Sequence, residues 1–197
     1  MNPIVKLVNV SRIFHQGGET IRAVDDVSLE IYPGEFTVIS GPSGSGKTTT
    51  LNMIGALDEP DEGDVIIDGK NLSQLSHGEK SQFRRDRIGF VFQAYNLIPV
   101  LTAYENAEFI LTLQGMPKEQ RRSKVMELMD QVDLNGLEDR RPDEMSGGQQ
   151  QRIAIVRAMA TNPAIVLADE PTANVDSQTA AKILDLMETL NKEHGAT

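Results

Sequence analysis

The stretch Ile39-Ser40-Gly41-Pro42-Ser43-Gly44-Ser45-Gly46-Lys47-Thr48-Thr49 constrains this chain more than any other, because glycines and a lysine stand at fixed spacing between an apolar run and a helix-forming run. Gly41, Gly44 and Gly46 let the backbone turn through positive φ and approach a ligand with no Cβ in the way, so that successive N–H groups converge on one concavity. Such a concavity holds phosphate. Phe36-Thr37-Val38-Ile39 reads as a buried strand feeding the loop, and Leu51, Ile54 and Leu57 recur at three-residue spacing behind it. The loop is therefore expected to open a helix over 47–57 whose N-terminal dipole favours the same anion. Lys47 adds a full positive charge for the β- and γ-phosphates, and the Thr48 hydroxyl is placed to ligate Mg²⁺.

A length of 197 residues suits one domain, with room for two lobes and a full core. The net charge of −10 argues against nucleic acid as a partner, since binding a phosphate backbone needs clustered Lys and Arg. The absence of Cys excludes disulfides and thiolate metal sites and fits a reducing compartment. No run approaches the ~20 apolar residues of a membrane span, and the start Met1-Asn2-Pro3-Ile4-Val5-Lys6 has no signal-peptide core. A soluble, cytosolic protein is expected.

Residues 4–10 are rich in β-formers, and Val27-Ser28-Leu29-Glu30-Ile31 alternates as a half-exposed strand does before a turn at Tyr32-Pro33-Gly34-Glu35. A small antiparallel sheet is expected here. Phe14 stands among polar neighbours before Gln16-Gly17-Gly18, either as a core residue or as a flat ring on which a base could stack. Val65-Ile66-Ile67-Asp68-Gly69 reads as a short strand closed by an Asp-Gly turn. Ile88-Gly89-Phe90-Val91-Phe92 is another strand, and it ends at Gln93. That amide is either an ordinary strand-end residue or one that reaches a metal or its water, because α/β sheets bind ligands at the carboxyl ends of their strands. From Ala94 to about Glu144 the pattern turns helical, with Val125, Leu128, Met129 and Val132 marking an amphipathic helix over 118–132.

Met145-Ser146-Gly147-Gly148-Gln149-Gln150-Gln151-Arg152 precedes Ile153, Val156 and Met159 at helical spacing. Ser146 is thus an N-cap, and the glycines after it mark either a plain helix start or a second phosphate-seeking one. Ala164-Ile165-Val166-Leu167-Ala168-Asp169-Glu170 is an apolar strand delivering two carboxylates. Beside a phosphate loop, the first acid can hold Mg²⁺ and the second can orient or deprotonate an attacking water.

Taken in order, Gly41 to Thr48, Gln93, Ser146-Gly147-Gly148-Gln149, Asp169-Glu170 and Asn174-Val175-Asp176 resemble the Walker A, Q-loop, signature, Walker B and D-loop of an ABC-type ATPase. Asp86-Arg87-Ile88-Gly89-Phe90-Val91-Phe92-Gln93 and Leu101-Thr102-Ala103-Tyr104-Glu105-Asn106 further resemble the branch of LolD-type lipoprotein releasers, MacB-type exporters and FtsE-type division ATPases. The resemblance implies a P-loop NTPase (RecA-like) α/β core with an N-terminal antiparallel β subdomain over 1–93 and about 155–197, and an inserted helical subdomain over about 94–154. It places Phe14 where an aromatic stacks on adenine, Gln93 where it senses Mg²⁺ and the γ-phosphate, and Glu170 as catalytic base. Gly41, Pro42, Ser43, Gly44, Ser45, Gly46, Lys47, Thr48 and Thr49 then hold ATP, with Thr48, Gln93 and Asp169 around Mg²⁺. In such a family two chains sandwich two ATP molecules, so Ser146, Gly147, Gly148 and Gln149 act across a homodimer whose seam includes Asp176.

Met145 and Val175 stand where the family usually has Leu. The resemblance also leads one to expect, roughly 33 residues beyond Glu170 by motif spacing, a strand ending in a switch histidine. The chain reaches only Thr197, and His194 before Gly195 reads as a cation at a helix C-terminus whose apolar face is Ile183, Leu184, Met187 and Leu190. A missing last strand and weak turnover are therefore expected. The function implied is ATP hydrolysis powering export or lipoprotein release through a separate integral membrane permease, with the chain on the inner face of the cell membrane. The competing readings are a soluble non-transport ATPase and a nucleotide-binding module with little turnover.

Overall fold

Asn9 sets the shape of the first strand pair. It sits at φ 48 opposite Asp26 at φ 51, its Nδ2 donates to Asp26 Oδ1 at 2.8 Å, and its backbone N–H donates to Ser28 Oγ. This is a bulge, and it breaks the two-residue alternation of β1 (Val5–Gln16): Val5 and Leu7 are buried, and the next buried apolar residue is Val10. β1 turns through Gly17 and Gly18 into β2 (Glu19–Ile31), and pairs on its other edge with β3 (Glu62–Ile67). Asp68 and Gly69, both at positive φ, then turn the chain into β4 (Lys70–Asn71), as the Asp-Gly pair requires. The result is an antiparallel sheet in the order β2-β1-β3-β4.

The computed structural model describes residues 2–197, in two compact units: one extends to Arg84 and includes Thr197, the other spans Arg85–Ala196. The antiparallel sheet belongs to the first, together with α1 (Lys47–Ile54), whose Met53 and Ile54 are buried. α1 ends at Gly55, so Leu57 lies beyond the helix expected to reach it and is exposed. A larger departure concerns 36–39. These residues were expected to form a buried strand; in the structure they belong to neither sheet, with Phe36 46% and Val38 75% exposed. An apolar run records what a segment can bury, whereas a strand also needs a neighbour to take its backbone hydrogen bonds, and among the described residues none does.

α2 (His77–Arg87) leads into the second unit, where β5 (Ile88–Phe92) pairs parallel and in register with β6 (Ile165–Asp169). Around this pair stand α3 (Ala103–Leu113), α4 (Lys118–Gln131), α5 (Gly147–Met159) and α6 (Ser177–His194). α3 starts with a capping box in which Thr102 Oγ1 accepts from the Glu105 N–H and the Glu105 carboxylate accepts from the Thr102 N–H. α5 packs on β5 so closely that a Cβ at Gly89 would meet the Ala158 carbonyl at 2.5 Å. The stripe read as helical is buried in full at Val125, Leu128, Met129 and Val132, in one core with Leu111, Ile153, Ile183 and Leu190. Leu184 departs from the expected α6 face and is exposed. Gly195, at φ 65, caps α6, and His194 Nε2 lies 3.1 Å from Gln131 Oε1 near that C-terminus.

The burial of Met129 yields a test of this core. Met129→Ala is expected to cost about 2–5 kcal/mol, since it removes fully buried atoms and leaves a cavity. Urea unfolding measures it, and a loss under about 1 kcal/mol would mean that α4 is not packed as described.

Candidate functional sites

In the first unit the site begins where β2 and α1 meet. Gly46 caps α1 at φ 87 without any side-chain hydrogen bond, and a Cβ there would be driven into the Ala23 carbonyl of β2. No other residue type fits this position, on both conformational and steric grounds. With Gly46 as cap, the first turn of α1 receives no side-chain cap, a helix end of the kind that suits an anion. Helix bonding resumes at Thr50, whose N–H donates to Gly46 O at 2.8 Å. Gly44 is also at positive φ, and a Cβ there would meet nothing within 4 Å, so its need for glycine is conformational.

The loop closes through Ser45 N–H donating to Pro42 O, and the Lys47 ammonium donates to Gly41 O at 2.9 Å and Pro42 O at 3.0 Å. An ammonium at a helix start beside a glycine-rich loop suits a phosphate chain, whose oxygens can replace the two carbonyls as acceptors. Ser43, Thr48 and Thr49 lie in the same turn and a half of chain. Phe14, on β1, is 38% exposed, so it is no core residue, and the Arg12 guanidinium lies over its ring. Among the described residues no cluster of three His, Asp or Glu could cage a metal ion. Mg²⁺ with an ATP-type ligand does not require one, since a hydroxyl or a carboxylate together with phosphate oxygens and water suffices.

In the second unit the register of the parallel pair does most of the placing. Phe92 stands opposite Asp169, so Gln93 and Glu170 leave the sheet as adjacent residues at its carboxyl end. Glu170 is at φ 47, a left-handed conformation unusual for a residue with a side chain. Asn174 Nδ2 donates to the Gln93 carbonyl at 2.8 Å, and the Tyr95 hydroxyl donates to the Asn174 carbonyl at 3.3 Å. Gly147 abuts the same pair: a Cβ there would lie 2.8 Å from the Tyr95 hydroxyl oxygen. Gln93, the first signature glycine and Asn174 are therefore brought together within this unit.

Ser146 caps α5 as expected. Its Oγ accepts from Gln149 N–H at 3.3 Å, while Gln149 Oε1 accepts from Ser146 N–H at 2.9 Å. A hydroxyl that accepts through a lone pair keeps its proton, so Ser146 can cap the helix and still donate to an anion. Gly148 lies against Thr179, and Asp176 caps α6: its carboxylate accepts from the Thr179 hydroxyl and from the N–H groups of Gln178 and Thr179. Sequence reasoning missed Arg157. From α5 its guanidinium donates to the carbonyls of Tyr95 at 2.8 Å and Asn96, two consecutive left-handed residues, and burial lowers its pKa from the ordinary guanidinium value. A lone cation on an otherwise apolar helix stretch was the available signal.

A sequence profile described as ABC transporter matches residues 24–173. The ABC transporter ATP-binding protein MJ0796 of Methanocaldococcus jannaschii is 48% identical over 98% of this chain and 84% of its own length. The macrolide export ATP-binding/permease protein MacB of Brucella abortus is 40% identical over 97% of this chain and 30% of its own length. Among solved structures, a dimeric post-hydrolysis state of the cassette MJ0796 bound to ADP and Pi superposes with a TM-score of 0.89 at 49% identity, covering 98% of this chain and 85% of that one.

The Asp176 cap generates a pH dependence. The Thr179 hydroxyl, and then the backbone amides, hold its carboxyl below the usual carboxylate value. Its stabilisation is therefore fully present above the unfolded pKa of about 3.9 and lost as pH falls through the lower folded value. The difference in urea midpoint between the parent and Asp176→Ala is expected to hold steady from about pH 7 to 5 and to narrow towards about pH 3. A difference that stays constant down to about pH 3 would contradict the capping account.

Proposed function

This chain belongs to the ABC transporter family, and from that premise we propose that it is the ATP-hydrolysing subunit of an export or lipoprotein-release system, working as a homodimer on a membrane permease. The in-register pairing of β5 with β6 carries the hydrolytic reading, because it puts an amide and two acids, Gln93 and Asp169-Glu170, at one sheet end. The loop of Gly41 to Thr49 and its Lys47 bind the triphosphate and offset charge that builds on the transferring phosphoryl group. Glu170 accepts the proton of the attacking water as oxygen bonds to the γ-phosphorus and the bond to the β-phosphate oxygen breaks, leaving ADP and phosphate. When bound, Mg²⁺ would neutralise phosphate charge, and Thr48, Gln93 and Asp169 are the residues proposed to hold it.

The proposed dimer places Ser146, Gly147, Gly148 and Gln149 of one copy against the γ-phosphate held by the other, with Asp176 at the seam. The dimeric MJ0796 structure with ADP and Pi supports this arrangement by likeness. The permease is proposed by likeness to the macrolide export ATP-binding/permease protein MacB, whose name joins the two parts. No helix among the described residues is long and apolar enough to cross a membrane, and the proposed permease is a separate part. In this reading the protein sits at the cytoplasmic face of the membrane, the helical segment about 94–154 turns towards the permease, and no nucleic acid takes part.

Replacing Glu170 by Gln separates binding from chemistry, because the amide keeps the shape and cannot take a proton. Glu170→Gln is expected to bind MgATP within about twofold of the parent, to lose all but a few per cent of turnover and to run as a dimer when ATP is present. Calorimetry reads the binding, steady-state phosphate release the turnover and light scattering the dimer. Turnover at the parent rate removes Glu170 from the role of base, and a monomer at saturating ATP removes the sandwich.

A further inference from the structure

Arg12 and Phe14 stand two residues apart on β1, and the Arg12 Cζ lies 4.8 Å from the centre of the Phe14 ring. The guanidinium is held on its other edges. Nε and Nη2 donate to the two oxygens of Asp58, each at 2.9 Å, and Nη1 donates to Asp61 Oδ1 at 2.9 Å. Asp61 is itself tied to the strand, accepting from Ile13 N–H at 2.6 Å and donating its own N–H to Ser11 O at 2.9 Å. Asp58 N–H in turn donates to the carbonyl of Asn52, a residue of α1. A set of hydrogen bonds therefore runs from the last turns of the phosphate-loop helix to one guanidinium, and a cation–π contact carries it on to one aromatic ring.

We propose that Arg12 is a positioning residue for the nucleobase: clamped by Asp58 and Asp61, it closes one face of Phe14 and presents the other as the stacking surface, at a spacing from the phosphate loop set by α1. This rests on the reading of Phe14 as the base platform. A planar cation fixed by three hydrogen bonds has little freedom left, so the ring it covers is held in plane and its covered face is closed to a ligand. A cation on one face also draws on the negative quadrupole of the ring, which favours an electron-rich purine on the opposite face. The Asp58 and Asp61 charges balance the guanidinium, so its action on a ligand is through the ring and not through the phosphates.

This makes the effect of Arg12 specific to the base, a property that general support of the fold lacks. The test compares binding of MgATP with that of Mg tripolyphosphate, which has the phosphates and no base, by calorimetry on the full chain carrying Arg12→Ala, Arg12→Lys or Phe14→Ala. Arg12→Ala is expected to weaken ATP about fivefold or more and to leave tripolyphosphate within about twofold. Arg12→Lys keeps the charge and loses the plane, so it should also lose ATP selectively; it serves if the alanine variant does not fold. Phe14→Ala should show the same selective loss. If Phe14→Ala loses ATP and neither Arg12 variant does, the inference fails and the platform stands. If Phe14→Ala loses nothing, the platform reading fails and takes this inference with it. Equal weakening of both ligands by Arg12 variants makes Arg12 a structural prop only and also overturns the proposal.

Discussion

The left-handed turn at Gly46, pressed against the Ala23 carbonyl, is the constraint on which the nucleotide half of this protein depends. It lets α1 begin without a side-chain cap directly after the glycine-rich loop. Any side chain at residue 46 would push the helix away from β2 and supply the wrong φ as well. A helix start without a side-chain cap is a place where an anion can bind. The loop beside it is closed by the Ser45 N–H on the Pro42 carbonyl and by the Lys47 ammonium on the carbonyls of Gly41 and Pro42, and in the proposed function it takes the phosphates there.

The second unit solves a different problem: holding exposed polar groups in fixed places without burying them. Parallel register fixes Gln93 beside Glu170, and the positions around them are then set by side chains that donate to backbone carbonyls. Asn174 takes the Gln93 carbonyl, Tyr95 takes the Asn174 carbonyl, and Arg157 takes the carbonyls of Tyr95 and Asn96. Left-handed residues such as Tyr95, Asn96 and Glu170 each cost of order 1–3 kcal/mol and persist only where neighbours over-determine them. The Arg157 clamp is such a neighbour for the first two. Because Gly147 abuts Tyr95, a change at the start of α5 and a change in the loop after Gln93 cannot be independent.

Much of this was legible in residue order. The loop of Gly41 to Thr49, the two carboxylates after 165–168, the Ser146 cap and the 125–132 stripe each depend on local chemistry, and local chemistry is what spacing records. Pairing is not local: 36–39 reads as a strand from its side chains, yet strand formation is decided by a partner elsewhere in the chain. The same applies to β1, whose length and change of phase at Asn9 follow from a bulge completed by Asp26, seventeen residues away. Arg12 and Arg157 escaped notice because an arginine in sequence carries no sign of which carbonyl, carboxylate or ring it will meet.

The central claim is that one glycine-rich turn and one lysine hold the nucleotide. Calorimetric titration of MgATP into the parent and into Lys47→Ala measures this directly, because the substitution removes the cation and leaves Gly46, α1 and the sheet unchanged. A loss of affinity of about tenfold or more is the predicted result. Binding within about twofold of the parent would contradict the account.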